Sequence, residues 1–570
     1  MHVRYGPAST EQVLGALPVV AAVCRRLDIA GIVDRAAPIR DIAHATHGQV
    51  IVAMIANRLT SPTPMVHLGQ WARQFAVAHT LGVQPDVRGD DRIARALDAL
   101  APVLEQVTGS VGAAAIASYG IDVSQLHWDM TSISLHGDYQ ITDDGFARPR
   151  FGHPKDRRPD LKQIQAGVAT AADGSVPVFW RPYDGGAAEV SQVVGTMQAL
   201  RRLAGPRRFL LVGDSKLLSY TNIAAMTAAA EVTFLAPASK AFVPAQVLAG
   251  CDYDTATPVD FVAARDTRLP VDQRGHYRVF EDTMTITGPL KRDPTITLRR
   301  VFVHSSARAE AARHARAKKL DRARDDLTRL SRGLGSQHYP TPAKVAARIT
   351  TITRHRHVGD YLRTTIGTDD HGRPTLHWSF DQATIDTEAA TDGWYALLTN
   401  LPETITAAEI LIRYKNQPTA SERRYHDLKG PLAVAPMFLH TNRRIAALIG
   451  VVCLALLIFC LIEREARRNL APATKIDGLY AGRPAKPTAS LIFTTLATLR
   501  LRHANDGAPE IPEPTPLQKQ VLDLLKIDPR TAADPPHPMC RVGSWRGGDH
   551  LVVGPEALMP AVSRRVVPLR

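Results

Sequence analysis

Lysine is scarce in this chain of 570 residues: 14 Lys stand against 55 Arg, and none precedes Lys155. An Arg- and Ala-rich, Lys-poor composition is common in GC-rich genomes, so the abundance of Arg by itself says little about function. Cysteine is scarcer. The five, at positions 24, 251, 453, 460 and 540, are odd in number, form no Cys-x-x-Cys and include two inside an apolar run. That excludes a disulfide scaffold and a zinc ribbon, and it fits a reducing cytosol. No secretory leader is expected either. The apolar patch from Leu17 to Cys24 is short, contains Pro18 and is followed, not preceded, by Arg25-Arg26, the reverse of a signal peptide. A cytoplasmic location is expected. Finally, no GxxxxGK[ST] or GxGxxG opens a helix after a strand, so nothing supports nucleotide dependence.

What is present is positive charge. Lys+Arg 69 against Asp+Glu 55 gives +14 and a pI near 9.7. Such a balance suits a polyanionic partner, nucleic acid first and acidic lipid second. With 45% hydrophobic residues the chain can bury sizeable cores, and its length suits roughly three to four domains of about 150 residues. One segment pulls toward a membrane. Ile445 to Ile462 is 18 residues without a charge, at the short end of what spans a bilayer, about 17–25. An all-round apolar helix is equally the core helix of a large protein, and both readings stand on the run alone.

Residues 1–115 read as helices, from apolar spacings such as Val50-Ile51-Met54-Ile55 and breakers such as Pro62 and Pro85. Strands begin near 120. Ser132-Ile133-Ser134-Leu135 alternates, Asp173-Gly174 sits between two extended runs as a hairpin turn, and Phe209–Val212 is a wholly apolar central strand. A mixed α/β sheet is therefore expected over 116–239. Over 240–392 short strands surround a basic helix near Ala307–Leu330, with nine Lys/Arg and four Asp/Glu in 307–332. A solvated face and a DNA contact both fit it. Trp394–Leu398 reads as a further strand, helices fill the rest of 393–468, and 469–570 holds helices near Ser490–Arg502 and Gln518–Leu525 before a loosely ordered end.

Two carboxylates border the strands. Asp129 ends or interrupts Leu126-His127-Trp128, and Asp214 follows Phe209–Val212. Each alone suits a loop cap; together they raise divalent-metal binding, since Mg²⁺ takes few carboxylates and retains waters. A third group lies in ILIRYKNQPTASERRYHDLKGPL, where Glu422 and Lys429 are seven apart and share a helix face. A metal ligand beside a phosphate-binding surface and an ordinary charged amphipathic helix both fit that spacing.

Taken in order, WDMTSIS (128–134), FGHPKDRRPDLKQIQAGVA (151–169), LLVGDSKLLS (210–219) and the Glu422–Lys429 block with its trailing apolar helix resemble the Asp-Asp-Glu transposases of insertion sequences. The branch is the one with a Tyr-Arg-Glu-Lys signature and a β-rich insertion. The Glu-to-Lys spacing is kept. Where the family has Tyr seven and Arg four before the Glu, this chain has Lys415 and Pro418; Tyr414 is one place early, and Arg413 or Arg423 would substitute for the Arg.

The resemblance implies an RNase H-like mixed sheet with a β-rich insertion, plus a helical N-terminal domain that recognises DNA ends. Asp129, Asp214 and Glu422 would be catalytic and would bind Mg²⁺ or Mn²⁺; Lys429, Tyr414 and Arg423 would bind DNA. The reaction would be two-metal phosphodiester hydrolysis followed by strand transfer, on double-stranded terminal repeats and target DNA, by a homodimer. The apolar run becomes a buried core helix, with no membrane. His153 and Lys162, in the second matching piece, would approach the site or the DNA, or serve the fold. The alternative is a catalytically inactive, transposase-derived DNA-binding protein; a nuclease without strand transfer and a one-pass membrane protein come behind it.

Overall fold

The computed structural model describes residues 9–531 apart from 40–44, 85–89, 138, 140–142, 153–156, 264–265, 416–421, 436, 438 and 505–507. The end expected to be loosely ordered, and His153, lie outside the described residues.

After strand β1 (Ser9–Val13) the chain folds into helices α1 (Leu17–Arg26), α2 (Ile29–Ala36), α3 (His47–Thr60), α4 (Leu68–Gln74), α5 (Val77–Leu81), α6 (Asp90–Leu100) and α7 (Leu104–Tyr119). α3 opens on a capping box, the Thr46 side chain accepting from Gln49 N–H and the Gln49 side chain accepting from Thr46 N–H, which satisfies two N–H groups a helix start leaves over. The helical reading of this region holds except at β1, which pairs antiparallel with β15 (Arg500–Ala504). The helix expected over Ser490–Arg502 accordingly stops early, as α17 (Ala489–Leu496). A strand whose partner lies at the other end of the chain leaves no local period to read.

The central sheet begins with β2 (Gln125–Leu135), β3 (Lys162–Ala171) and β4 (Pro177–Tyr183), an antiparallel meander. The Asp173-Gly174 hairpin forms as expected, with Gly174 at φ 74, where a side chain is strained. Helix α8 (Glu189–Ala204) then leads to β5 (Phe209–Val212), and α9 (Tyr220–Ala228) leads to β6 (Val232–Pro237). β5 lies parallel to β2, and β6 parallel to β5. All four residues of β5 are buried, as a strand covered on both faces requires.

The insertion prolongs this sheet. Past α10 (Ala245–Ala249) come β7 (Thr257–Val259), β8 (Tyr277–Ile286) and β9 (Ile296–Ser305); β12 (Trp394–Thr399) bridges β9 to β6. The nine strands run in the order β4-β3-β2-β5-β6-β12-β9-β8-β7. Between β9 and β12 stand α11 (Ser306–Arg332), α12 (Pro342–Arg356), the hairpin β10 (Leu362–Thr368) and β11 (Pro374–Phe380), and α13 (Gln382–Ala389). This part has its own small core around Leu327, Leu330, Val345, Ile349 and Ile352.

The remaining helices are α14 (Ala407–Lys415), α15 (Glu422–Lys429), α16 (Asn442–Arg468), α17 and α18 (Pro516–Leu525); a hairpin, β13 (Ile476–Tyr480) and β14 (Arg483–Ala485), separates α16 from α17. Every residue of Ile445–Ile462 in α16 is buried, packed against β4 and helices α1, α3, α6, α7, α15, α17 and α18. The core-helix reading of the apolar run is correct. Each large aliphatic chain so withdrawn contributes about 1.5–3 kcal/mol. Gly450 allows Leu104 to approach: a Cβ there would lie 2.4 Å from Leu104 Cδ1. The N-terminal helices, one face of the sheet and the C-terminal helices thus share one core.

Candidate functional site

Asp129 lies inside β2, not at its end. β3 pairs with β2 from Leu126 to Leu135, whereas β5 pairs only from Gln125 to His127, where His127 is level with Val212. Asp129, inside β2, and Asp214, just past the end of the parallel β5, are therefore each two residues beyond the last rung. The two-residue period puts Asp129 on the face of His127. That face lies under α14: the Gln125 amide, on the same face, donates to the Arg413 carbonyl at 3.3 Å, and Val212 clusters with Ile410 and Leu411. Both aspartates are half-buried. Asp129 Oδ1 accepts from Met130 N–H at 2.7 Å. Asp214 Oδ1 accepts from Lys216 N–H at 2.8 Å and so caps the single turn Ser215–Leu217. The loop-cap role is real for Asp214.

α15 carries Glu422 at its first residue, where the helix dipole favours a negative charge. Glu422 and His426 are exposed and Lys429 is half-exposed; their spacing of four and seven puts them on one face. The opposite face buries Arg424, Tyr425, Asp427 and Leu428. The Tyr425 hydroxyl donates to the main-chain carbonyl of Asp129. Burial, then the charges of Asp129 and Glu189, push that hydroxyl's pKa far above its ordinary value, so it stays a donor.

Arg424 is 1% exposed. Its guanidinium donates to the carbonyls of Gly174 at 2.9 Å and Ser175 at 3.0 Å, in the β3–β4 turn, and to Asp427 at 3.0 Å. It also faces Glu463 of α16 at 3.4 Å. Glu463, itself 1% exposed, takes ion pairs from Arg423 at 2.7 Å and Arg467 at 2.9 Å and a hydrogen bond from Ala489 N–H at 3.0 Å. Arg423, expected on DNA, thus has its charge turned inward. The sequence reading of Arg423 as a DNA contact missed this anchor. The available signal was Glu463 itself, an acid directly continuing an apolar run, which can be buried only if paired.

Tyr414, next to last in α14, is half-buried against the Val212 cluster. Its hydroxyl pKa is raised by burial first and then by Asp214 and Glu422, with Arg308 opposing; the fields of both carboxylates meet there. Arg308 stacks over the Tyr395 ring at 5.0 Å, and Lys415 over Tyr277 at 4.7 Å. Neither Arg308 nor Tyr395 was singled out by sequence.

The donor set, three carboxylates, suits a hard divalent cation. Among the described residues, however, no three His, Cys, Asp or Glu side chains form a group able to hold a metal ion. The level aspartates and the Glu422 helix share a region without closing on one point.

Lys162 donates to the Tyr139 carbonyl at 3.4 Å, a structural role. Of the basic residues on α11, Arg316 is buried against Asp392, Lys319 bonds the Tyr361 hydroxyl at 2.6 Å, and Arg324 and Arg329 pair with Asp321 and Asp326 at 2.8 and 2.9 Å. Arg313, Lys318, Arg322 and Arg332 are exposed.

The five strands β2 to β6, a meander with two parallel strands added beside its first, make an RNase H-like core within a mixed α/β fold. Residues 9–105 match the family model described as a domain of unknown function, DUF4277. No curated protein matches the chain. Among solved structures it is similar to the piggyBac transposase in its synaptic complex with hairpin DNA, at TM-score 0.35 and 10% identity over 84% of this chain and 79% of that one. It is also similar to the Mos1 transposase in a paired-end complex with the left transposon end, at TM-score 0.14 and 11% identity over 34% of this chain and 59% of that one.

Proposed function

We propose that this chain is a DNA transposase of the Asp-Asp-Glu type, which cleaves the double-stranded ends of an insertion sequence and joins them to target DNA. The observation that carries the reading is that Asp129 in β2 and Asp214 just past the end of the parallel β5 each lie two residues beyond the rung His127–Val212, with the helix led by Glu422 fastened to Asp129's own carbonyl. Asp129, Asp214 and Glu422 are the residues that would hold Mg²⁺ or Mn²⁺. Such ions, when bound, activate a water or a 3′-hydroxyl and stabilise the leaving oxygen. Lys429, on the face of Glu422, offers phosphate a point charge. Tyr414, its hydroxyl kept protonated, offers a neutral donor. Arg423 serves mainly to hold α15 on α16. The net charge of +14 supplies affinity that does not depend on DNA sequence, and a homodimer would hold the two ends together in the cytoplasm.

A second reading, an inactive DNA-binding relative, is favoured by two facts. The three carboxylates are not gathered around one point, and Lys415 and Pro418 stand at the signature's Tyr and Arg positions. A cleavage assay on element-end duplex with Mg²⁺ or Mn²⁺ separates the two. Asp129→Asn, Asp214→Asn and Glu422→Gln are each expected to abolish cleavage while DNA affinity survives. Combining them should cost no more than one, since residues acting as a unit are not additive. Near-native cleavage by any one variant removes that residue from the site. A native chain that binds ends and never cuts them selects the second reading.

A further inference from the structure

Arg58, in the last turn of α3, is 7% exposed. Among the described residues no carboxylate pairs with it. Its Nη1 reaches the Ala433 carbonyl at a long 3.4 Å, and its Nε is buried with no partner. The end of α3 offers a guanidinium some favourable dipole, less than the cost of withdrawing it from water. Burial accordingly pulls its pKa down to about 10, with no acid holding it up.

Arg58 lines a cleft of about 340 Å³ whose polar lining also includes Asp91, His440, Thr441 and Arg444. Arg444 is already balanced, bonding Asp98 at 3.0 and 2.7 Å with Asp91 nearby. Thr441 is not engaged: it holds the N-cap position of α16, yet its side chain makes no cap bond and its hydroxyl is buried without a partner. The first turn of α16 contains no acidic residue. A 27-residue helix therefore presents an uncapped N-terminus to the same space as an uncompensated buried guanidinium, and both features favour an anion.

We propose that this cleft, between the N-terminal helices and the segment joining α15 to α16, is a phosphate-binding site in which Arg58 and Thr441 are the principal donors. It does not rest on the transposase reading. The phosphate is either free in solution or part of a bound nucleic-acid backbone.

The test uses the full chain and two probes, inorganic phosphate and a short DNA duplex, against chloride at matched ionic strength. Phosphate should raise the thermal midpoint in a saturable way, as a ligand of the native state must. Arg58→Met should fold with an unchanged or higher midpoint without phosphate, because it removes a buried charge lacking a partner, and should lose the phosphate response. Thr441→Val, a milder change, should weaken that response several-fold and keeps the test open if Arg58→Met does not fold. If the site takes backbone phosphate, free phosphate competes with duplex and Arg58→Met weakens duplex binding at every sequence. If it takes free phosphate, duplex affinity is unchanged. Absence of any phosphate response and of any duplex effect in these variants overturns the proposal, as does a response that Arg58→Met and Thr441→Val leave intact.

Discussion

The Tyr425 hydroxyl donates to the main-chain carbonyl of Asp129, so the third residue after Glu422 is tied to the strand that carries the first aspartate. Tyr425→Phe keeps the ring's packing and removes the hydroxyl's hydrogen bonds, that one and a backbone contact with Val168. It should lower unfolding free energy by about 0.5–1.5 kcal/mol, measured in urea. If α15 carries a catalytic Glu, the same change should slow end cleavage by more than it weakens DNA binding. An equal loss in both would mean that the bond only holds the fold.

Glu463→Gln should be far more costly. It leaves Arg423, Arg424 and Arg467 around a buried neutral amide, and breaking one side of a buried ion pair costs about 3–5 kcal/mol. Glu11→Gln breaks the exposed Arg502–Glu11 pair and should cost under about 1 kcal/mol. Denaturation midpoints of the two variants check the ordering.

Gly167 pairs with Met130 in the β2–β3 ladder and lies diagonally against the Trp128 ring. A Cβ there would lie 2.1 Å from Trp128 and 2.8 Å from Tyr183, so Gly167→Ala must displace the residue next to Asp129. The expected loss is about 1–3 kcal/mol. Gly109→Ala, in α7 with nothing within 4 Å of its Cβ, should instead stabilise by about 0.5–1 kcal/mol. Thermal unfolding distinguishes the signs.

On α11 the exposed Arg313, Lys318, Arg322 and Arg332 separate cleanly from the buried Arg316. If the exposed set touches phosphates, replacing them with Gln should weaken DNA binding at all sequences and reduce the salt slope by about 0.9 for each phosphate no longer neutralised. Arg316→Gln should instead destabilise the part of the insertion built around α11. An unchanged slope returns the exposed set to a solvated face.

The elements that carried a local period were legible from residues alone. Phe209–Val212 is a strand because four apolar residues in a row suit a doubly covered position, Asp173-Gly174 turns where the hairpin needs it, and α11 lies within a residue or two of its expected span. What escaped was pairing across distance. Nothing near Ser9–Val13 names Arg500–Ala504 as its partner, and nothing in Trp394–Thr399 says that it joins the insertion to β6. The site divides in the same way. The face shared by Glu422 and Lys429 follows from their spacing, whereas the inward turn of Arg423 and Arg424 depends on Glu463, some forty residues downstream.

The β1–β15 ladder also sets a timetable. Val13 pairs with Arg500, so during synthesis the first strand waits until Arg500 has been added, about 25–100 s at about 5–20 residues per second. The N-terminal helices wait almost as long for α16, whose apolar surface completes their core. Until then their apolar faces lack the helix that covers them, and such transiently exposed surface is what makes an incomplete fold prone to association.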